Sequence, residues 1–259
     1  MIITNSDSAP DGFPACAPGS AIVAAVDVEW TKNYRVKNGN TPFCYSVIWL
    51  AVPESGTPVN LDGAGFSYTS AYVEHPAETQ DLIASAGTAL ARVLDQARLV
   101  AGHQLCSDLA TLARAASQPP DAVIELRAAW HERRLPANMR PRIIDTRYDI
   151  GHLLSGTSRR LVDVCADLHL DVTQPELRGT SMTALHRRWT ETGDSCAREK
   201  ISVLNLRHSL STALAALHAA GIGRWDPGLN VNQMLATGLG SAFAWTSTPA
   251  FRALLDHSR

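Results

Sequence analysis

Lysine is nearly missing from this 259-residue chain, with Lys32, Lys37 and Lys200 the only three. Arginine supplies the rest of the 23 basic residues, against 25 acidic ones, and the formal net charge is −2. A chain so balanced carries no global basic field to drive non-specific nucleic-acid binding, so such binding must come from a local patch or from bound metal ions. Cysteine is sparse too: Cys16, Cys44, Cys106, Cys165 and Cys196 are scattered and odd in number, with no C-x-x-C spacing. That excludes a disulfide framework and a thiolate zinc site, and it fits free thiols in a reducing compartment. Long hydrophobic runs are also lacking; none approaches the ~20 residues of a membrane span. The first twenty residues, MIITNSDSAPDGFPACAPGS, do not have the charged-then-apolar layout of a signal peptide. A soluble, cytoplasmic protein with no membrane partner is the expectation, with homo-oligomerisation left open.

What is present is core material. Apolar residues make up 45% of the chain, enough for one large domain or a domain with an appendage. The chain is organised around Ala21–Thr31, AIVAAVDVEWT. Its uncharged run from Ala21 to Val26 reads as a strand buried on both faces, ending at Asp27-Val28-Glu29. Side chains at i and i+2 of a strand share a side, so Asp27 and Glu29 stand together at the strand end. Two carboxylates that close repel unless something positive sits between them, and hard divalent cations take carboxylate oxygens. The plain alternative is a strand running out into a polar loop.

Residues 1–20 read as a loose lead-in, and Lys32–Pro42 as a basic turn region. Phe43–Val52 and Phe66–Val73 are two further strands, the second alternating as a half-buried edge strand does. Three strands in succession suggest an antiparallel meander. Glu78–Ala97 then carries apolar residues on helical spacing. A short strand at Leu99–Gly102 leads into a helix near Ser107–Ala116, and Pro119-Pro120 breaks it. A helix at Ala122–Arg134, a break at Asn138–Pro141 and a strand at Arg142–Thr146 follow. From Arg147 to about Ala220 the pattern is helical, with candidates at Arg160–Leu168 and Arg198–Ala220. The remainder, 221–259, shows a late helix near Pro249–Asp256. The fold class is therefore α/β, a mixed five-stranded sheet with an antiparallel meander and two parallel strands, flanked by helices. The organisation is a lead-in (1–20), a main domain (21–220) and a C-terminal extension packed on it (221–259). In such sheets ligands sit outside the carboxyl ends of the strands, where Asp27 and Glu29 lie.

A second motif is Val100–Leu112, VAGHQLCSDLATL, with Gly102-His103 at a strand end and Asp108 at the start of the next helix. A carboxylate there can be aimed into the crevice that Asp27 and Glu29 face. Capping its own helix is the alternative for Asp108, and packing the alternative for His103.

The D-x-E on a buried strand and the G-H-x-x-x-x-D together resemble motifs I and II of the DEDD superfamily of 3′–5′ exonucleases. That superfamily includes the proofreading subunit of the bacterial replicative polymerase, RNase T and RNase D. Ile143–Leu154 and Ser158–Leu170 resemble the fifth strand and short helical segment of the same fold. The resemblance spans roughly Ile22 to Ala220 and implies an RNase H-like sheet. The third motif departs from the family, whose last helix carries a fourth Asp preceded by Tyr or His. Here the helix reads SVLNLRHSLSTALAAL, and aligning Thr212 on the family's Thr puts His208 at the Asp, Leu204 at the Tyr and Val203 at the His. A second register puts Arg207 at the His and Thr212 at the Asp.

By resemblance, two divalent cations, Mg²⁺ or Mn²⁺, would lie roughly 3.5–4 Å apart. Asp27 would bridge both, Glu29 and the fourth group would complete one site, and Asp108 would support the other. A histidine in fourth place, His208, favours Mn²⁺ or Zn²⁺ over Mg²⁺, or can serve as a base. Trp30 and Thr31 stand where family members contact the terminal nucleotide, and Trp30 can stack on a base or fill the core. His103 and Asn205 complete the candidate nucleic-acid contacts, with Asn205 otherwise a surface residue. Asp145 is expected to be structural, hydrogen-bonded at its strand end. Arg159, Arg160, Arg178, Arg187 and Arg188 are candidates for a phosphate-binding rim, or a solvated face. The implied activity is metal-dependent 3′–5′ hydrolysis of single-stranded DNA or RNA ends. The alternative is a catalytically degenerate protein of that fold that binds nucleic acid or a protein.

Overall fold

The computed structural model describes residues 1–7, 9, 12–14, 17–31, 39–54, 56–135, 142–174 and 177–256. Its strands are β1 (Ile2–Asn5), β2 (Ser20–Thr31), β3 (Thr41–Pro53), β4 (Val59–Asn60), β5 (Ser67–Tyr72), β6 (Ala97–Gly102) and β7 (Arg142–Asp145). All but β4 form one mixed sheet in the order β1-β5-β3-β2-β6-β7. The β5-β3-β2 part is the expected antiparallel meander, and β6 and β7 add to it in parallel. The protein is thus α/β, with helices on both faces of the sheet.

The sheet has six strands where five were expected. Ile2–Asn5, assigned to a loose lead-in, pairs antiparallel with Thr69–Tyr72. Four β-branched and polar residues are too few to show a period, but a free sheet edge supplies the hydrogen bonds that hold them. With β1 in place, β5 is an interior strand rather than the expected edge strand. The turn expected from Lys32 falls, over 32–38, outside the described residues, as do Cys16 and the break expected at 138–141. Thr41 and Pro42 belong to β3 rather than to that turn.

Strand β2 is central because its composition demands it. Ile22, Ala24, Val26 and Val28 enter one core, with helices α1 (Thr79–Gln96), α2 (Leu105–Ala115) and α3 (Asp121–Glu132). Val23 and Ala25 enter the other core, under α6 (Ser195–Ala219). A strand walled on both faces has to be apolar along its length, and the run stops only where the sheet opens at Asp27. The β2–β3 register slips between Glu29 and Trp30, leaving Phe43 as an extra residue on β3. Such a bulge next to a strand end re-aims the side chains beyond it.

Helix α6 is buried along most of its 25 residues and reaches into both cores. It starts at Asp194, whose side chain accepts from the Ala197 N–H at 3.2 Å. The preceding helix, α5 (Met182–Thr192), ends at Gly193, whose φ of 69° is the left-handed conformation that a helix stop favours. Two hydroxyls dock α6 on β3, Ser46 and Ser209, 2.7 Å apart with no solvent access. Below it lie α4 (Leu161–Asp167) and a two-stranded ribbon of β8 (Leu170–Asp171) and β10 (Leu229–Asn230), a strand that the helical reading of 147–220 missed. β9 (Gly223–Arg224) pairs with β4. The C-terminal stretch contributes α7 (Val231–Leu239) and α8 (Pro249–Arg252), and Val231, Leu235 and Phe251 are fully buried in the α6 core. Among the described residues no helix is long and apolar enough to cross a membrane.

The β6–α2 junction fixes where the second motif points. Gly102 ends β6, and a Cβ there would lie 2.5 Å from the Cβ of Leu105. Gln104 caps α2 with φ 74°, a conformation seldom adopted by a residue with a side chain. Gly102→Ala is expected to cost about 1–3 kcal/mol through displacement of the first turn of α2. Urea denaturation measures this, and an unchanged midpoint would show that the junction yields freely.

Candidate metal centre

Asp27 and Glu29 leave the same side of β2, the side that α6 covers. His208, on α6, meets both. Its Nδ1 lies 3.5 Å from Asp27 Oδ2 and 3.4 Å from Glu29 Oε1. One donor atom from each of the three lies within 4.8 Å of the others, a grouping able to hold a metal ion. Of the last-helix residues weighed, His208 is the one that meets the two acids. Arg207 and Thr212, prominent in the second register, are both buried at 1% exposure. Leu204 and Val203 are fully buried core residues.

Asn205, one turn before His208, donates from Nδ2 to Asp27 Oδ2 at 2.6 Å. Its Oδ1 accepts from the Cys44 thiol at 3.7 Å. It is fully buried, so the structure places it as a support for Asp27 rather than as the expected contact with nucleic acid. The thiol itself stays protonated, pushed up first by burial and then by the charges of Glu29 and Asp27.

Asp108 is carried by the first turn of α2 and is 2% exposed. It does not cap its helix; its Oδ2 has no hydrogen-bond partner. Burial, then the charges of Asp27 and Glu29, raise its pKa well above the usual carboxylate range. Asp108 lies outside the tight three-residue group but lines the same cavity as Asp27 and Glu29, of about 540 Å³. Val28, Trp30, His103, Gln104 and the start of α5, Ser181 to Thr183, complete the walls. Of the expected substrate contacts, Trp30 and His103 thus reach the cavity, whereas the Thr31 hydroxyl turns to the Thr41 carbonyl at 3.4 Å. His103 is held through Nδ1 by the Thr146 hydroxyl at 2.9 Å, and burial lowers its pKa to about 4.

Asp145 behaves as a structural residue. Its Oδ1 accepts from the backbone N–H groups of Gln104 and Arg147, and its Oδ2 from the Trp130 indole at 2.8 Å. That ties the end of β7 to the turn carrying Gln104. The arginines considered for a phosphate-binding rim have the following partners. Arg160 pairs with Asp163, Arg187 with Glu191 and Arg188 with Asp194. Arg178 lines a second cavity, with Asp171, Thr173 and Gln174. Gln174 is a contact the sequence reading missed; its Oε1 is 3.4 Å from His208 Nε2.

The cluster sets a pH dependence. Burial works against a charge on His208, but hydrogen bonds and charge from Asp27 and Glu29 prevail and raise its pKa to about 10, from an ordinary 6.5. A base with a raised pKa gives its full stabilisation below pH 6.5 and loses it as the pH climbs through 10. In a chelator, His208→Gln is therefore expected to melt below the wild type at pH 6, with the gap closing by about pH 10. Thermal melts across that range measure it, and a gap independent of pH would show that His208 carries no charge there.

No protein-family model and no curated protein matches the chain.

Proposed function

We propose that this protein is a metal-dependent 3′–5′ exonuclease with an RNase H-like fold, hydrolysing phosphodiester bonds at single-stranded ends. The observation that carries the reading is the convergence of Asp27, Glu29 and His208, from strand β2 and helix α6, with Asp108 lining the cavity that Asp27 and Glu29 also line. The residues fit a divalent cation on two counts. Their donors are carboxylate and imidazole, a set that suits Mn²⁺ as well as Mg²⁺. Asp108 also presents a buried oxygen with no partner, which a cation would satisfy.

Asp27, Glu29 and His208 would hold one cation, and Asp108 with Asp27 a second. Bound there, divalent cations supply Lewis-acid activation of water and neutralise charge on the phosphate. Asn205 keeps the Asp27 carboxylate turned toward the cavity. Trp30 offers a flat face for the terminal base. Incubating a 5′-labelled single-stranded oligonucleotide with pure protein and Mn²⁺ tests the reading. The expected product is a ladder shortening from the 3′ end, and a 3′-phosphorothioate linkage should slow it. Intact oligonucleotide across Mg²⁺, Mn²⁺ and Zn²⁺ overturns it.

One observation favours the second reading, a degenerate binding module. His208 already contacts both carboxylates, and Asn205 already donates to Asp27, so the acids are neutralised from within. His208→Asp distinguishes the two. In a degenerate site it creates cleavage where there was none; in a working site it alters the metal preference of existing cleavage toward Mg²⁺.

A further inference from the structure

Strand β8 runs out at Asp171 into Val172-Thr173-Gln174. That short stretch is fixed from two directions. Asp171 Oδ1 accepts from the Thr173 N–H at 3.0 Å and from its hydroxyl at 2.6 Å, the turn an aspartate builds with the residue two further on. The Thr173 carbonyl accepts from Nδ2 of Asn232, a fully buried residue in the first turn of α7, at 3.2 Å. Pairing of Leu170 and Asp171 with Leu229 and Asn230 holds the strand itself. The backbone that leads into Gln174 is thus pinned, and Gln174 Oε1 reaches His208 Nε2 at 3.4 Å. The imidazole of His208 is therefore met on both edges: Nδ1 by Asp27 and Glu29, Nε2 by Gln174.

A neutral imidazole carries one proton, and a metal ion takes the bare nitrogen. Ligating histidines give their other N–H to an outer acceptor, which fixes the tautomer and the ring. Gln174 Oε1 is such an acceptor, placed at Nε2. It favours the proton there and leaves Nδ1 bare on the side of the two acids. The reverse arrangement, an amide N–H donating to a bare Nε2, would put the proton on Nδ1, in the place a cation shared with Asp27 and Glu29 needs. We infer that Gln174 is a positioning residue: it keeps the His208 proton on Nε2 and so commits Nδ1 to the cation that Asp27 and Glu29 hold. This rests on the proposed metal centre but not on cleavage. It also gives the C-terminal stretch a part in that centre, through Asn232 and the β8–β10 ribbon that seat Gln174.

The test is Mn²⁺ calorimetry together with nitrogen NMR of the Zn²⁺-loaded protein. Gln174 is half-buried and lines the second cavity, so its variants should fold. Gln174→Met keeps the length and loses the acceptor; it is expected to bind Mn²⁺ about 10–100-fold more weakly. Gln174→Glu keeps an acceptor and is expected to bind at least as tightly as the wild type. In the Zn²⁺-loaded wild type the His208 ring, assigned by its loss in His208→Gln, should show Nδ1 metal-bound and Nε2 protonated, a signature that packing alone would not produce. Metal on Nε2 overturns the inference. Unchanged Mn²⁺ affinity in Gln174→Met also overturns it and leaves the metal centre standing, whereas no binding by the wild type removes both. An oligonucleotide assay run alongside separates this from the nuclease reading. Weakened Mn²⁺ binding in Gln174→Met, in a protein that shortens no oligonucleotide, leaves Gln174 in place and removes the nuclease.

Discussion

Asp27→Ala should abolish Mn²⁺-dependent shortening of an oligonucleotide, with a loss larger than the 10–100-fold typical of residues that only support a ligand. Asp27 is the shared ligand of the two proposed cation sites. It touches His208 and receives Asn205, and its charge raises the pKa of Asp108. Removing it takes out the shared ligand and leaves His208 with Glu29 and Gln174. Asn205→Ala gives the internal scale. The Asn205 side chain hydrogen-bonds Asp27 and Cys44, so its loss should weaken Mn²⁺ binding within that 10–100-fold window while leaving cleavage detectable. Initial rates at saturating Mn²⁺ and Mn²⁺ calorimetry on the two variants decide the matter. Asp27→Ala within tenfold of the wild type would remove the metal centre from the mechanism.

Asp108→Asn should pull stability and function in opposite directions. A buried carboxylate oxygen without a partner is a standing cost, about 1–3 kcal/mol for a polar group of this kind. The amide removes the charge and can donate toward Asp27 and Glu29. In a chelator the variant should therefore melt above the wild type. The gain has a definite pH sign: an acid whose pKa is raised from its usual 3.8 destabilises the fold increasingly as the pH rises past that value. The advantage should be small near pH 4 and grow toward neutrality. In Mn²⁺ the order should reverse, because a ligand at 100 times its Kd adds roughly 2.7 kcal/mol to the protein that binds it. A variant less stable than the wild type in chelator would mean that Asp108 serves the fold rather than a cation.

Much of this site was legible because its residues sit on elements with strong periods. The six uncharged residues before Asp27 forced a central strand, and the i, i+2 rule then put Asp27 and Glu29 on one side. His208 could be singled out because α6 is long and its helical period is unbroken around it. Two kinds of feature were not legible. The first was pairing without pattern: Ile2–Asn5 is a strand only because β5 offers an edge, and Leu170–Asp171 only because Leu229–Asn230 lies beside it. The second was the part of the cavity lining that comes from α5. Ser181 with a following helical period is a readable cap, but nothing local says that its helix start would face residues 150 positions earlier. Asn205 failed for a related reason: a polar residue on an amphipathic helix reads as exposed, and α6 is buried on nearly every side.

Strand β2 and helix α5, which both line the cavity, are unlike in how far they can give. Val23–Val26 are laddered to β3 on one side and to β6 on the other, so the carboxylate-bearing strand cannot shift without tearing the middle of the sheet. Helix α5 is stitched into no ladder and rests on its neighbours through side chains such as His186, stacked on Phe43 at 4.1 Å. Helix α5 is therefore the freer of the two, and amide deuterium uptake should be slowest at Val23–Val26 and faster across Met182–Leu185.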